Sequence, residues 1–216
     1  MKKQVSIIGL IVTTFLSWAV AQELQDVSLP APRMEGGKPL MQVLKERQSA
    51  RAYSAKALPV QVLSDLLWAA FGINRPDSGK RTAPSAMNWQ EVDVYAVTAD
   101  GTYLYDAKAN NLKAVASGDL RKLTGMQDFV ASAPLNLVYV VDTTRINKVP
   151  PDKADFFAGM DAAFISENVY LFCASEGLST VVRGSVDAEA LSKALNLPAH
   201  CKPILAQSVG YPAGSK

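Results

Sequence analysis

Residues 46–53 read ERQSARAY and set Arg47 and Arg51 on either side of Ser49, where a helical pattern ends. Two guanidiniums and a hydroxyl gathered at such a point make a cradle for a phosphate monoester. Arginine supplies a planar set of donors and serine a short one. A solvated basic face at a helix end has the same composition, so the spacing alone is not specific. Residues 80–90, KRTAPSAMNWQ, form the second stretch of interest. Pro84 fixes a turn, Ser85 and Asn88 place donors and acceptors three positions apart, and Met87 and Trp89 add soft or flat apolar surface. Such a loop can hold a heteroaromatic ring by its polar edge. An ordinary capped loop before a strand would read the same way.

Other chemistries are set aside by counting. His200 is the only histidine and lies in a proline-flanked loop, and Cys173 and Cys201 lack ligand spacing, so no metal site is expected. There is no G-x-S-x-G elbow, P-loop or G-x-G-x-x-G turn, and one histidine beside Cys201 is weak support for a thiol nucleophile. An enzyme made from this chain borrows its reactivity from a bound group.

The elements that must position these residues follow from periodicity. Residues 22–38 carry Pro30, Pro32, Gly36 and Gly37 without a period and read as an irregular arm. A short helix covers about 40–49. Pro59 opens a second helix, whose apolar residues Val62, Leu63, Leu66, Leu67, Ala70 and Phe71 keep helical spacing up to Gly72. Residues 75–82 read as a loop. Strands over 92–98 and 102–105 flank Ala99-Asp100-Gly101, a hairpin signal. A short helical region is expected over 119–130 and a central strand over 135–141, which is apolar except for Asn136. The longest helix spans 152 to about 175, with apolar residues around much of its circumference, so burial on most sides is expected. A strand at 180–182, a helix at 187–195 and a strand at 204–209 complete one α+β domain over 39–216.

Lys2 and Lys3, a mostly apolar run from Val5 to Val20 and the A-x-A pattern Ala19-Val20-Ala21 predict a cleaved secretory signal over 1–21. The run is short for a spanning helix, so no stable membrane anchor is expected after cleavage, and the location is periplasmic or extracellular. Loss of Lys2 and Lys3 brings 22 basic against 20 acidic residues to 20 against 20. A neutral chain is a poor partner for nucleic acid. In an oxidising compartment Cys173 and Cys201 could pair, or each could pack as a small free thiol.

Taken in order, these stretches resemble the nitroreductase family of flavin enzymes over about residues 39–216. Arg47, Ser49 and Arg51 match its Arg-x-Ser-x-Arg motif, and Pro84, Ser85 and Asn88 match its Pro-Ser-x-x-Asn loop. Residues 161–171 and Glu176-Gly177-Leu178 are similar to its long central helix and exit. Arg183-Gly184 falls where a strand end meets the flavin ring, and Val209-Gly210-Tyr211-Pro212 is similar to the last core strand. Gln48 stands where many relatives have a second arginine, Lys216 is the only basic residue after the last strand, and an export signal is unusual among these reductases.

The resemblance implies a three-layer fold, with a central mixed, mainly antiparallel sheet flanked by helices. It implies a homodimer with one FMN at each of two interface sites. Arg47, Gln48, Ser49, Arg51 and Lys216 would surround the phosphate, Pro84, Ser85 and Asn88 would come from the partner chain, and Gln127, Arg183 and Gly184 would border the ring. The activity implied is hydride or electron transfer from NAD(P)H, or another donor, to a small oxidised acceptor such as a nitroaromatic or quinone, with no side chain acting as acid or base. Two alternatives stand beside it: a flavin-dependent dehydrogenase or oxidase of a peptide-derived or other small substrate, and an exported domain that has lost FMN.

Overall fold

The computed structural model describes residues 23–214; the expected signal over 1–21 and Lys216 lie outside the described residues. Seven strands make the main sheet: β1 (Val27–Ser28), β4 (Val92–Val97), β5 (Gly101–Asp106), β6 (Asn111–Ser117), β7 (Leu135–Asp142), β8 (Ser179–Arg183) and β9 (Cys201–Gly210). Their order is β1-β6-β5-β4-β7-β9-β8, and the expected mixed, mainly antiparallel sheet is antiparallel at every described pairing. β2 (Ile73–Arg75) and β3 (Lys80–Arg81) form a separate ribbon where a plain loop was expected, turning at Gly79 with φ 62°.

Successive strand residues face opposite sides, and here both sides are covered. One core joins Val92, Val94, Leu135, Leu137, Tyr139 and Val141 of the sheet to α2 (Val60–Phe71) and α3 (Pro151–Glu176). The intervening residues Tyr95, Val97, Val138 and Val140 face the second core, which Leu191 of α4 (Ala188–Ala194) closes together with Leu195. β7 is therefore buried on both faces, which is why its sequence, apart from Asn136 and the terminal Asp142, is apolar without alternation. The result is the three-layer α+β arrangement.

Several boundaries differ from the sequence reading. Val27–Ser28 of the arm pairs with β6, a strand the periodicity did not reveal because only Leu112 in it is deeply buried. The region 119–130 forms two 3₁₀ turns, Arg121–Thr124 and Asp128–Ala131, because the chain between them is extended at Gly125. α3 ends where Gly177 adopts φ 70°, a left-handed conformation that lets the Leu178 N–H reach the Cys173 carbonyl at 2.8 Å. The expected burial of α3 on most sides does not hold within one chain: Phe156 is 62% and Phe164 44% exposed. Both cysteines are free. Cys173, on α3, packs into the core on one face of the sheet while Cys201 packs on the opposite face, so a disulfide between them is ruled out.

Candidate functional site

α1 (Leu40–Glu46) ends at Arg47, whose N–H closes the last turn on Val43 O at 2.8 Å before the backbone becomes extended. The following segment is fastened to the end of the main sheet. The Ala50 N–H donates to Thr180 O and the Ser54 N–H to Tyr211 O, each at 2.9 Å, and Tyr53 forms a bridge with Pro212. Ser49 Oγ lies 2.8 Å from the Tyr170 hydroxyl, which accepts the Val182 N–H at 3.0 Å. With that lone pair occupied, the Tyr170 proton can go to Ser49 Oγ, leaving the serine proton to donate outward. Arg47 is half-buried, its guanidinium 5.3 Å from the Tyr170 ring centre, while Gln48 and Arg51 are exposed. Neither arginine has a carboxylate partner among the described residues.

Arg183 ends β8 and turns inward rather than presenting its donors at the surface. It donates to Ser208 Oγ at 2.7 Å, to Thr124 O at 3.1 Å and to Asn136 Oδ1 at 3.2 Å, and its guanidinium lies over the Phe129 ring. Burial pushes its pKa down to about 10, with Tyr53 opposing the shift, so the group is still charged at neutral pH. No carboxylate neutralises it among the described residues. Its Nε and the Oε1 of Gln127 are both buried without a hydrogen-bond partner, although Gln127 Nε2 donates to Ser185 Oγ at 2.6 Å. Both orphaned atoms approach Gly125, where an added Cβ would sit 2.8 Å from Arg183 Nε and 2.9 Å from Gln127 Oε1. Gly184, next in the chain, is exposed.

The 84–90 loop is held elsewhere. Met87, Asn88 and Gln90 all have φ near +50°, unfavourable for residues with a Cβ. Four contacts hold that geometry: Ala86 N–H to Asp161 Oδ2 at 2.7 Å, Gln90 N–H to Ser85 Oγ at 3.0 Å, Arg81 Nε to Gln90 Oε1 at 2.8 Å and Arg145 Nη1 to Gln90 O at 2.9 Å. Pro84 and Asn88 are exposed and Ser85 is half-buried. Asn88 Oδ1 accepts from Gln90 Nε2, and no partner takes its Nδ2 donors among the described residues. Beneath the loop, Glu91 is fully buried with neither carboxylate oxygen hydrogen-bonded. Burial pushes it up to about 7, and the Asp161 carboxylate adds to the effect.

The structure thus joins Arg47, Ser49 and Arg51 to the strand that ends in Arg183-Gly184, and brings Gln127 beside Arg183. It does not bring the 84–90 loop to them. Asp161 and Tyr170 anchor the two groups at points about 14 Å apart along α3, at 1.5 Å per residue. Sequence reasoning missed Tyr170, Glu91 and Asp161. The first reads as one more apolar residue of a buried helix, and only the polar positions Asp161 and Ser166 on an otherwise apolar face hinted at local work.

Residues 44–211 match the model of the nitroreductase family. A protein of Methanocaldococcus jannaschii provisionally named a nitroreductase is 27% identical over 181 residues, covering 79% of this chain and 90% of its own length. A crystal structure from Ralstonia eutropha, also provisionally named a nitroreductase, matches with a TM-score of 0.85 and 41% identity, covering 91% of this chain and 94% of that one. Another, from Anabaena variabilis, matches with a TM-score of 0.74 and 18% identity over 93% of this chain and 45% of that one, a likeness of fold.

Proposed function

Because the chain belongs to the nitroreductase family, and is thereby an oxidoreductase, we propose that it is an FMN-dependent homodimer that passes electrons from NAD(P)H to a small oxidised acceptor such as a nitroaromatic or quinone. The observation that carries this reading is the 47–51 stretch: Arg47 lies on the Tyr170 ring, Tyr170 ties the Ser49 hydroxyl to β8, and neither Arg47 nor Arg51 has a carboxylate partner among the described residues. Two uncompensated guanidiniums and a hydroxyl donor suit a phosphate dianion. The buried positive charge of Arg183 and its orphaned Nε fit an electron-rich polar edge lying nearby, so the residues present suit FMN.

Bound FMN would supply hydride and electron transfer. The chain's own residues would do the rest. Arg47, Ser49 and Arg51 would hold the phosphate, and Gln48 would lie exposed between them. Arg183 would favour negative charge at the ring through its field rather than by direct contact, with Gly184 allowing close approach of the backbone. Ser85 and Asn88, held away from this group within one chain, would reach the site of a second copy. Phe156, Met160 and Phe164 recur every fourth residue on α3 and are exposed, as is Met87 of the loop; this stripe would be the face between subunits. We also propose export directed by residues 1–21, which predicts a mature protein beginning at Gln22 by N-terminal sequencing.

The test is a comparison of FMN with riboflavin by fluorescence titration of the purified protein, followed by NADH or NADPH oxidation with a quinone. FMN should bind at least tenfold more tightly. Equal affinity for the two, or no flavin binding, would contradict the reading.

A further inference from the structure

The register of the main sheet sets three metal-ligating side chains together that lie far apart in sequence. Asp142, the last residue of β7, is paired directly with Cys201, the first residue of β9, so their side chains share one face of the sheet. His200 precedes Cys201, and its carbonyl accepts both the N–H and the Oγ1 hydroxyl of Thr143, each at 3.0 Å. One ligand atom from each of the three lies within 4.8 Å of the others, and His200 Nε2 is 4.0 Å from Asp142 Oδ1. We propose that Asp142, His200 and Cys201 bind a single zinc-class divalent ion.

The donor set decides the class of metal. An imidazole nitrogen, a thiolate sulfur and a carboxylate oxygen match zinc, whereas magnesium and calcium take oxygen ligands. Bonds of about 2.0–2.3 Å in a tetrahedron separate ligand atoms by roughly 3.3–3.8 Å. Closing the site therefore requires movements of about 1 Å, which the half-exposed His200 side chain can make. The carboxylate is already oriented. Asp142 Oδ1 accepts from Thr144 N–H at 2.9 Å and from the Thr144 hydroxyl at 2.5 Å, and Oδ2 accepts from Arg145 Nε at 3.1 Å, the kind of outer support that metal-ligating carboxylates have. Arg145 does not leave a bare positive charge at the site, because Asp93 takes it in two hydrogen bonds of 2.9 and 2.8 Å. Three protein ligands leave the fourth position to water. The site is independent of the flavin reading, since it lies at the opposite end of β9 from Gly210, about 30 Å away at 3.3 Å per residue.

The chain's thiols make the test direct. Cys173 is fully buried, so under native conditions alkylation reads Cys201. With Zn²⁺ alone as the probe, one equivalent should slow iodoacetamide labelling of Cys201 at least tenfold, and competition with a chromophoric chelator should give one ion per chain. His200→Ala and Asp142→Asn should each weaken Zn²⁺ binding tenfold or more, with the fold intact by circular dichroism, and Mg²⁺ should give no protection. A thiol that labels at the same rate with saturating Zn²⁺, a His200→Ala protein that binds as tightly as the wild type, or equal protection by Mg²⁺ overturns the proposal.

Discussion

Ser49 and Tyr170 share a hydrogen bond of 2.8 Å, and through the Tyr170 hydroxyl that bond continues to the backbone of Val182. The serine of the basic motif is thereby coupled to the strand that ends in Arg183-Gly184. Tyr170→Phe should strand the half-buried Val182 N–H and loosen Ser49, costing roughly 1–3 kcal/mol of stability. Urea denaturation measures it. A stability unchanged within error would mean that water replaces the hydroxyl without loss.

Arg51→Ala and Arg47→Ala should separate charge from packing. Each should weaken FMN binding about 10- to 150-fold, the equivalent of a charge-assisted hydrogen bond worth roughly 1.5–3 kcal/mol, while leaving riboflavin affinity nearly unchanged. Only Arg47 also covers the Tyr170 ring, so only Arg47→Ala should lower the melting temperature. Calorimetry on both variants checks the distinction.

Assembly can be tested in trans. Phe164→Glu places a charge on the exposed apolar stripe of α3 and should yield a folded monomer by light scattering that no longer retains FMN. Coexpressed Arg51→Ala and Asn88→Ala chains, isolated as mixed dimers by two tags, should recover wild-type behaviour in about half of their sites, since one site then carries both lesions and the other neither. Mixed dimers with no restored sites would assign both residues to the same chain.

Glu91 gives a pH dependence with a definite sign. Its folded pKa is raised from 4.5 to about 7 by burial, so the folded state holds a proton that the unfolded chain releases. Stability from this group is full below about pH 4.5, falls as pH rises and levels off above about pH 7, a change on the order of 3 kcal/mol. Glu91→Gln should flatten that slope in urea midpoints taken between pH 5 and 7.5. A slope equal to that of the wild type would assign the dependence to other groups.

The basic motif and the 84–90 loop stood out in the sequence only when taken together and in order, since arginines at a helix end and a Pro-Ser-x-x-Asn loop before a strand are each ordinary alone. α2, α3 and β7 were legible from period and apolar length. What escaped was long-range. β6 contributes one deeply buried residue and so lacks a strong alternating signal, and the pairing of Asp142 with Cys201 depends on sheet register, which no local spacing encodes. The inward turn of Arg183 was hidden for a similar reason. Its partners Thr124, Asn136 and Ser208 come from three separate segments.

The stitching of Ala50 to Thr180 and of Ser54 to Tyr211 has a kinetic consequence. A phosphate-gripping loop free to swing would capture and release its ligand on the timescale of loop motion. Here residues 50–54 are laced to the sheet margin, so in the proposed phosphate role dissociation of the ligand would wait on local breathing of that margin, a rarer event than loop motion. Amide hydrogen exchange at Ala50 and Ser54 then serves as the clock for ligand residence.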